Sequence, residues 1–267
     1  MEAYDKLVEK LKELNKVAVA FSAGVDSTFL LDIANEILPG RVLAISISSA
    51  CMAQDEKDKA VAFCKQKQIP LSVIQADPLS LKEFRENPKD RCYHCKKMLF
   101  QAIVKEAQDH GFEFVIEGSN YDDLSDYRPG MKALRELNIL SPMQQAGLTK
   151  AQIRSLSAKR GLESANMPSL ACLASRIPYG EEITLEKLEM VEQAESYLFE
   201  QGFSQLRVRS HHNLARIELL PSEIEKLMKD GFYEQVTKRL KEIGFSYVTL
   251  DLQGFRSGSL NEGVDKK

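Results

Sequence analysis

The chain has 267 residues, 43% hydrophobic and 28% charged, which supplies enough apolar surface for a core and excludes a disordered segment. Lys and Arg number 36 against 39 Asp and Glu, so a net charge of −3 argues against a dedicated nucleic-acid binder while leaving room for a local basic patch. No apolar run approaches the ~20 residues of a membrane-spanning helix. The opening MEAYDKLVEKLKEL lacks the uncharged core of a signal peptide, so a cytoplasmic location is expected.

Leu7, Leu11 and Leu14 fall on one face of an opening helix. Residues 17–21 (VAVAF) form a continuous apolar run, the pattern of a strand buried on both faces. SAGVDS follows, then a helix over 28–38 that stops at Pro39-Gly40. Residues 41–47 read as a second buried strand and 54–68 as a charged amphipathic helix. Further strands are expected at 71–76 and 112–116, with a helix over 96–109 between them. Strands alternating with helices predict an α/β fold with a parallel sheet wrapped on both sides, binding ligands beyond the carboxyl ends of its strands.

Residues 118–147 are loop-rich, and Thr149 to Gln152 has the spacing of a capping box opening a helix that Gly161 ends. After NMPSLACLASRIPYG (166–180) the pattern changes. A helix over 184–201, strands at 205–210 and 214–219, a further helix and a strand at 245–252 predict a smaller α/β domain with at least one antiparallel pair. The expected division is therefore 1–180 and 181–267.

The junction at SAGVDS is the most specific feature. Ser22, Ala23 and Gly24 are small enough for close backbone approach to a ligand, and the helix behind them presents free N–H groups and a positive dipole end. Ser22 and Ser27 add hydroxyl donors for phosphate, and Asp26 is suited to hold Mg²⁺. The Lys of a Walker loop and the G-x-G-x-x-G of a dinucleotide fold are both missing. The competing reading is an ordinary serine-capped βα turn.

Five cysteines, an odd count, turn attention to metal or chemistry rather than disulfides. Cys92-Tyr93-His94-Cys95 precedes the helix expected from Lys96, where the dipole favours thiolates. Cys172 lies between Pro168 and Pro178. A redox pair, a zinc site completed by His94, His211 or His212, a three-cysteine iron–sulfur cluster, and three unrelated cysteines all remain open. Cys64, near Ala60 and Phe63, reads as core packing, and Cys51 after a strand end is unassigned.

Arg207 and Arg209 alternate on one strand and so share a face, as do Arg216 and Glu218 on the next; Arg176 follows Cys172 by four residues. Two guanidinium forks about 6.5 Å apart along a strand suit one phosphate or carboxylate gripped from two sides, a solvated strand face being the plainer alternative. Aromatics for base stacking are missing from these strands, which argues against RNA. The Gly254–Gly258 segment reads as a turn without independent meaning.

SAGVDS closely resembles the SGGxDS motif of the ATP pyrophosphatases, with Ala23 replacing the usual Gly. Together with EGSNYDDLSDYRPG, SRIPYG, RVR, ARIEL and VTLDLQGFRSG, it resembles the LarE family over nearly the full length. These are the ATP-dependent sulfur insertases of nickel-pincer nucleotide biosynthesis. The resemblance implies an adenine-nucleotide alpha-hydrolase-like (PP-loop) domain followed by a small α/β domain. It implies adenylation of a carboxylate of pyridinium-3,5-biscarboxylic acid mononucleotide, with loss of pyrophosphate, and then thiocarboxylate formation with loss of AMP. Ser22, Ala23, Gly24, Asp26 and Ser27 would take ATP and Mg²⁺. Cys92, Cys95 and Cys172 match the members with a three-cysteine [4Fe–4S] cluster whose unique iron carries the sulfide. Cys172, Arg176, Glu195 and Glu218 fall at catalytic positions, and Lys96, Arg207 and Arg209 at substrate positions. A sulfide-donor system and a homo-oligomer are expected as partners. A tRNA thiolase and an NAD-synthetase-like amidating ligase are the alternatives on the same fold.

Overall fold

The computed structural model describes residues 2–125, 129–167, 171–256 and 258–261. Parts of three sequence segments lie outside the described residues: 126–128 of EGSNYDDLSDYRPG, 168–170 of NMPSLACLASRIPYG (Pro168 among them), and Ser257 of GFRSG. The chain divides into two compact units, 1–81 with 90–170 and 82–89 with 171–267.

The first unit opens with α1 (Glu2–Leu14), which buries Leu7 and Leu11, then β1 (Val17–Ala20) and α2 (Val25–Ile37). Next come β2 (Val42–Ser48), α3 (Gln54–Lys67) and β3 (Leu71–Gln75). The chain leaves through α4 (Lys82–Arg85), which belongs to the second unit. It returns as α5 (Arg91–Asp109), β4 (Phe114–Ile116), α6 (Gly130–Glu136), α7 (Pro142–Ala146) and α8 (Lys150–Lys159). The four strands are parallel in the order β3-β2-β1-β4, and Leu140 bridges onto Ile116 at the edge. Period-two alternation explains the layering: Val17 and Val19 join the core with Leu7, Phe29 and Ile153, whereas Ala18 joins the core with Ile45, Ile103 and Val115. Chain order reverses across β1, so the crevice beyond β1 and β4 is the switch point at which such sheets bind ligands.

Two helices begin earlier than expected. α2 starts at Val25, because Gly24 takes an extended capping conformation (φ −74°, ψ 167°), so Asp26 and Ser27 lie inside the first turn. α5 starts at Arg91, which places Cys92 and Cys95 within the first turns of the helix rather than before it. The capping box at Thr149 and Gln152 is formed.

The second unit continues with α9 (Leu185–Glu200), β5 (Leu206–His211), β6 (Leu214–Leu219), α10 (Ile224–Met228), α11 (Phe232–Ile243) and β7 (Tyr247–Leu250). β5 and β6 are antiparallel, and β6 and β7 parallel. Leu198, Leu206, Val208, Ile217, Val236 and Leu240 fill its core. The boundary falls at 170/171 rather than 180/181, and residues 82–89 join this unit. Asn87 explains why: fully buried, it donates its amide to the carbonyls of Ile177, Pro178 and Glu181, while Gly180 N–H donates to the Asn87 carbonyl.

Candidate functional site

β1 delivers the chain to the phosphate loop of the first unit. Ala23 has φ +56°, so the left-handed position is the one where Ala replaces the usual Gly. Ser27 Oγ lies 3.1 Å from Ser22 Oγ, donates to the Gly24 carbonyl (3.2 Å) and accepts from Ser22 N–H (3.3 Å), bracing the loop across its mouth. The first-turn amides of α2 point out of its end, where an anion is favoured.

Neighbouring segments complete this end of the sheet. A Cβ on Gly118 would sit 3.0 Å from Ser27 N, tighter than an ordinary contact, so glycine eases the close approach of the chain after β4 to the start of α2. Buried Glu117 accepts from Ser119 N–H (3.1 Å), Ser119 Oγ (2.9 Å) and Ser141 Oγ, and so fixes that exit. Lys150, the first residue of α8, donates from Nζ to Asp26 Oδ2 at 2.5 Å, across 124 residues of sequence. Asp26 Oδ1 is buried with no hydrogen-bond partner among the described residues. Burial pushes the Asp26 pKa up, against the pull of Lys150. An unpartnered carboxylate oxygen beside a phosphate loop fits Mg²⁺, a hard cation that takes oxygen ligands.

Cys92 and Cys95 stand one turn apart on α5, the first exposed and the second buried. Lys96 runs beneath α6: a Cβ on Gly130 would lie 2.5 Å from its Cδ, and its Nζ is 5.9 Å from the Phe100 ring centre. His94 sits 3.4 Å from Asp90. Cys64 is core packing as expected, and burial pushes its thiol to about 12.

In the second unit, Cys172 is exposed and caps the short 3₁₀ turn Leu173–Arg176. Arg176 is 1% exposed. Its Nε and Nη2 pair with Glu195 at 2.9 and 2.7 Å, and Nη1 donates to the carbonyls of Ala171 and Cys172 (3.0 Å for the latter). Glu195 also accepts from Val208 N–H at 2.9 Å, tying the Cys172 turn to β5 through α9.

The β5–β6 register sets Arg207 opposite Glu218 and Arg209 opposite Arg216. Two arginines face to face would repel. Fully buried Glu218 relieves this by accepting from Arg209 Nε (3.1 Å) and Nη2 (3.0 Å) and from Arg216 Nη2 (2.8 Å). Arg207 donates to the Leu206 carbonyl at 2.7 Å, and its guanidinium lies 5.3 Å from the Phe255 ring centre. Burial, and then the charge of Arg176, push the Arg207 pKa down to about 10. Arg176, Arg207 and Arg209 are thus buried together with the carboxylates of Glu195 and Glu218.

These arrangements exclude one alternative and correct one expectation. The strand face is not solvated, because β5 is buried on both sides. Arg209 does not offer an open fork to an anion either, since its Nε–Nη2 edge is occupied by Glu218. Residues expected to act together lie in different units: the phosphate loop, Lys96, Cys92 and Cys95 in the first, and Cys172 with the arginines in the second. Among the described residues, no group of three or more His, Cys, Asp and Glu gathers as a metal site. Cys92 and Cys95 nevertheless present two thiols one helical turn apart, donors that iron–sulfur and zinc sites share. Lys150 and Glu117 were not foreseen. Lys150 stands inside the T-K-A-Q box that the sequence did disclose, and Glu117 directly follows a strand end. No helix among the described residues is long and apolar enough to cross a membrane.

No protein-family model matches the chain. An uncharacterized protein of Synechocystis sp. is 39% identical over 254 residues, 95% of either chain. An uncharacterized protein of Methanocaldococcus jannaschii is 32% identical over 95% of either chain. The glutamine-hydrolyzing GMP synthase of Helicobacter pylori is 29% identical over 125 residues, 45% of this chain and 24% of its own. The pyridinium-3,5-bisthiocarboxylic acid mononucleotide synthase of Lactiplantibacillus plantarum is 37% identical over 262 residues, 97% of this chain and 94% of its own. With identity of that level across nearly the whole of both chains, the protein belongs to the LarE family, that of the pyridinium-3,5-bisthiocarboxylic acid mononucleotide synthases.

Proposed function

We propose that the protein is an ATP-dependent sulfurtransferase that converts a carboxylate of pyridinium-3,5-biscarboxylic acid mononucleotide into a thiocarboxylate in nickel-pincer nucleotide synthesis. The observation that carries this reading is the near-full-length identity to the Lactiplantibacillus plantarum synthase. A carboxylate is a poor electrophile because its oxygen leaves badly, and adenylation supplies a stable leaving group. A substrate carboxylate oxygen attacks the α-phosphorus of ATP and the bond to the pyrophosphate oxygen breaks. Sulfide then attacks the carbonyl carbon, the bond to the AMP oxygen breaks, and the thiocarboxylate remains.

The chain's own residues divide this work. The first-turn amides of α2, with Ser22 and Ser27, would hold the phosphates. Asp26 would take Mg²⁺ through Oδ1 while Lys150 holds Oδ2 in place. The buried arginines of the second unit would lie at an anionic group of the mononucleotide. Arg176 donates to the backbone carbonyl of Cys172 and would so hold the turn that carries that thiol. Cys92, Cys95 and Cys172 would hold a [4Fe–4S] cluster, with the N-terminus of α5 favouring two of the thiolates. When bound, that cluster would supply the sulfide. The same reading includes a cytoplasmic location, a sulfide-donor system and a homo-oligomer.

The test is anaerobic purification followed by metal analysis and ATP turnover. The expected protein is brown, loses most of its iron on Cys→Ser exchange at 92, 95 or 172, and yields AMP and pyrophosphate. One zinc without iron would favour a Cys₃His site, and ADP as product would exclude the pyrophosphatase chemistry.

A further inference from the structure

The C-terminal segment from Gly254 has no part in the reaction as derived above, yet in the structure it enters the arginine cluster twice. Its path is specified locally. Gly254 has φ +70°, and a Cβ there would fall 2.7 Å from the Leu219 carbonyl, to which Phe255 N–H donates at 2.7 Å. The turn hooks the segment onto the end of β6. Phe255 then lays its ring against the Arg207 guanidinium, and four residues later Ser259 is buried beside Arg209 and Glu218. Ser259 Oγ accepts from Arg209 Nη2 at 2.8 Å and donates to Glu218, 3.0 Å from Oε1.

This hydroxyl closes a ring of hydrogen bonds. Of the five N–H groups of Arg209, two go to Glu218, one to the Ser175 carbonyl at 2.8 Å and one to Ser259. A guanidinium held on four sides cannot rotate, and Glu218, shared by Arg209 and Arg216, is held in plane by the same hydroxyl. Among the described residues these bonds leave one N–H of Nη1 uncommitted, and its fixed direction lowers the ordering cost of binding an anion.

We infer that Ser259, assisted by Phe255, is a positioning residue that sets Arg209, Glu218 and Arg207 for the anionic group of the mononucleotide. The C-terminal segment is thereby a working part of the second unit rather than a tail. The inference rests on the reading of the arginine cluster as the mononucleotide's site.

Binding of pyridinium-3,5-biscarboxylic acid mononucleotide is measured by calorimetry, alongside its KM and that of ATP in pyrophosphate release. Ser259→Ala should weaken mononucleotide binding about ten-fold, the worth of one hydrogen bond to a charged group, with the KM of ATP unchanged. Ser259→Thr, which keeps the hydroxyl, should restore binding to within about two-fold. Phe255→Leu should weaken it about three-fold, in line with a cation–π contact. Tighter binding in Ser259→Ala would overturn the inference, because the hydroxyl would then compete for a donor the ligand wants. A lowered Tm with unchanged mononucleotide binding would also overturn it, by reducing Ser259 to a structural role. A second readout stands apart from the ligand: Ser259→Ala should shift the Arg209 Nε–H resonance, and an unmoved resonance refutes the positioning role. If the unaltered protein binds no mononucleotide while the Arg209 resonance does respond, it is the underlying reading that fails.

Discussion

Replacing Arg176 by Met removes the guanidinium that neutralises Glu195 in the second unit, where the two side chains are 1% and 6% exposed. The surviving carboxylate keeps one donor, Val208 N–H at 2.9 Å, and loses both charged ones. Breaking a buried pair from one side costs about 3–5 kcal/mol. The Ala171 carbonyl loses its Arg176 donor as well, whereas the Cys172 carbonyl keeps Ser175 N–H at 2.9 Å. The upper half of that range is therefore expected, about 4–5 kcal/mol, a large part of the ~5–15 kcal/mol that holds a typical domain folded. Arg176→Met combined with Glu195→Leu should recover most of it, since apolar replacement of a whole buried pair is commonly neutral or stabilising. Amide hydrogen exchange along the β5–β6 ladder reads the opening free energy of this unit directly. The double variant should regain stability without regaining sulfur insertion, because the second donor to the Cys172 carbonyl, Arg176 Nη1, is still missing. A single variant that loses less than about 1 kcal/mol, or a double variant no more stable than the single, would refute the assignment of this pair as a buried, mutually dependent one.

Three other outcomes follow from particular residues. Ala23→Gly should stabilise the first unit by less than about 1 kcal/mol with ATP turnover retained, because the ~1–2 kcal/mol of left-handed strain is partly offset by the greater freedom of glycine in the unfolded chain; urea denaturation checks it. Asp26 has its pKa raised by burial, so its contribution to stability is present below its unfolded pKa and is lost as pH rises through the folded value. Asp26→Asn should accordingly match or exceed the parent in Tm at pH 7–8, with the difference shrinking toward pH 4, while pyrophosphate release is abolished; a Tm lowered at pH 8 alone would contradict the sign. Cys64, with its thiol pushed to about 12, should resist iodoacetamide at pH 8 in metal-free protein while exposed Cys92 and Cys172 are labelled, as read by peptide mass spectrometry.

The elements were legible where side-chain periodicity alone decides them. β6 matches its expected span, and α3, α9 and β5 come within about a residue at either end, because apolar residues recur with the period of the element. The starts of α2 and α5 were not, since Gly24 caps one without a side-chain hydrogen bond and Asp90 precedes the other in the same way. The unit boundary was displaced for a different reason. Asn87 and the 177–181 carbonyls are about ninety residues apart, and no local pattern announces their pairing. The candidate site shows the same limit. The phosphate loop is a local motif and could be read directly, whereas Lys150 reaches Asp26 only through the fold. The charged residues of β5 suggest a solvated face until β6 brings Glu218 to Arg209. The segment after Gly254 reads as a plain turn in the sequence because Ser259 acquires its meaning from partners 41 and 50 positions earlier.

The most direct test of the central claim is mass spectrometry of the reaction of anaerobically prepared, cluster-loaded protein with ATP, Mg²⁺, sulfide and pyridinium-3,5-biscarboxylic acid mononucleotide. The account predicts replacement of a carboxylate oxygen by sulfur in the mononucleotide, with one AMP and one pyrophosphate formed per sulfur inserted. Unmodified mononucleotide accompanied by thiolated tRNA in a parallel reaction, or by an amidated product with ammonia, would contradict it.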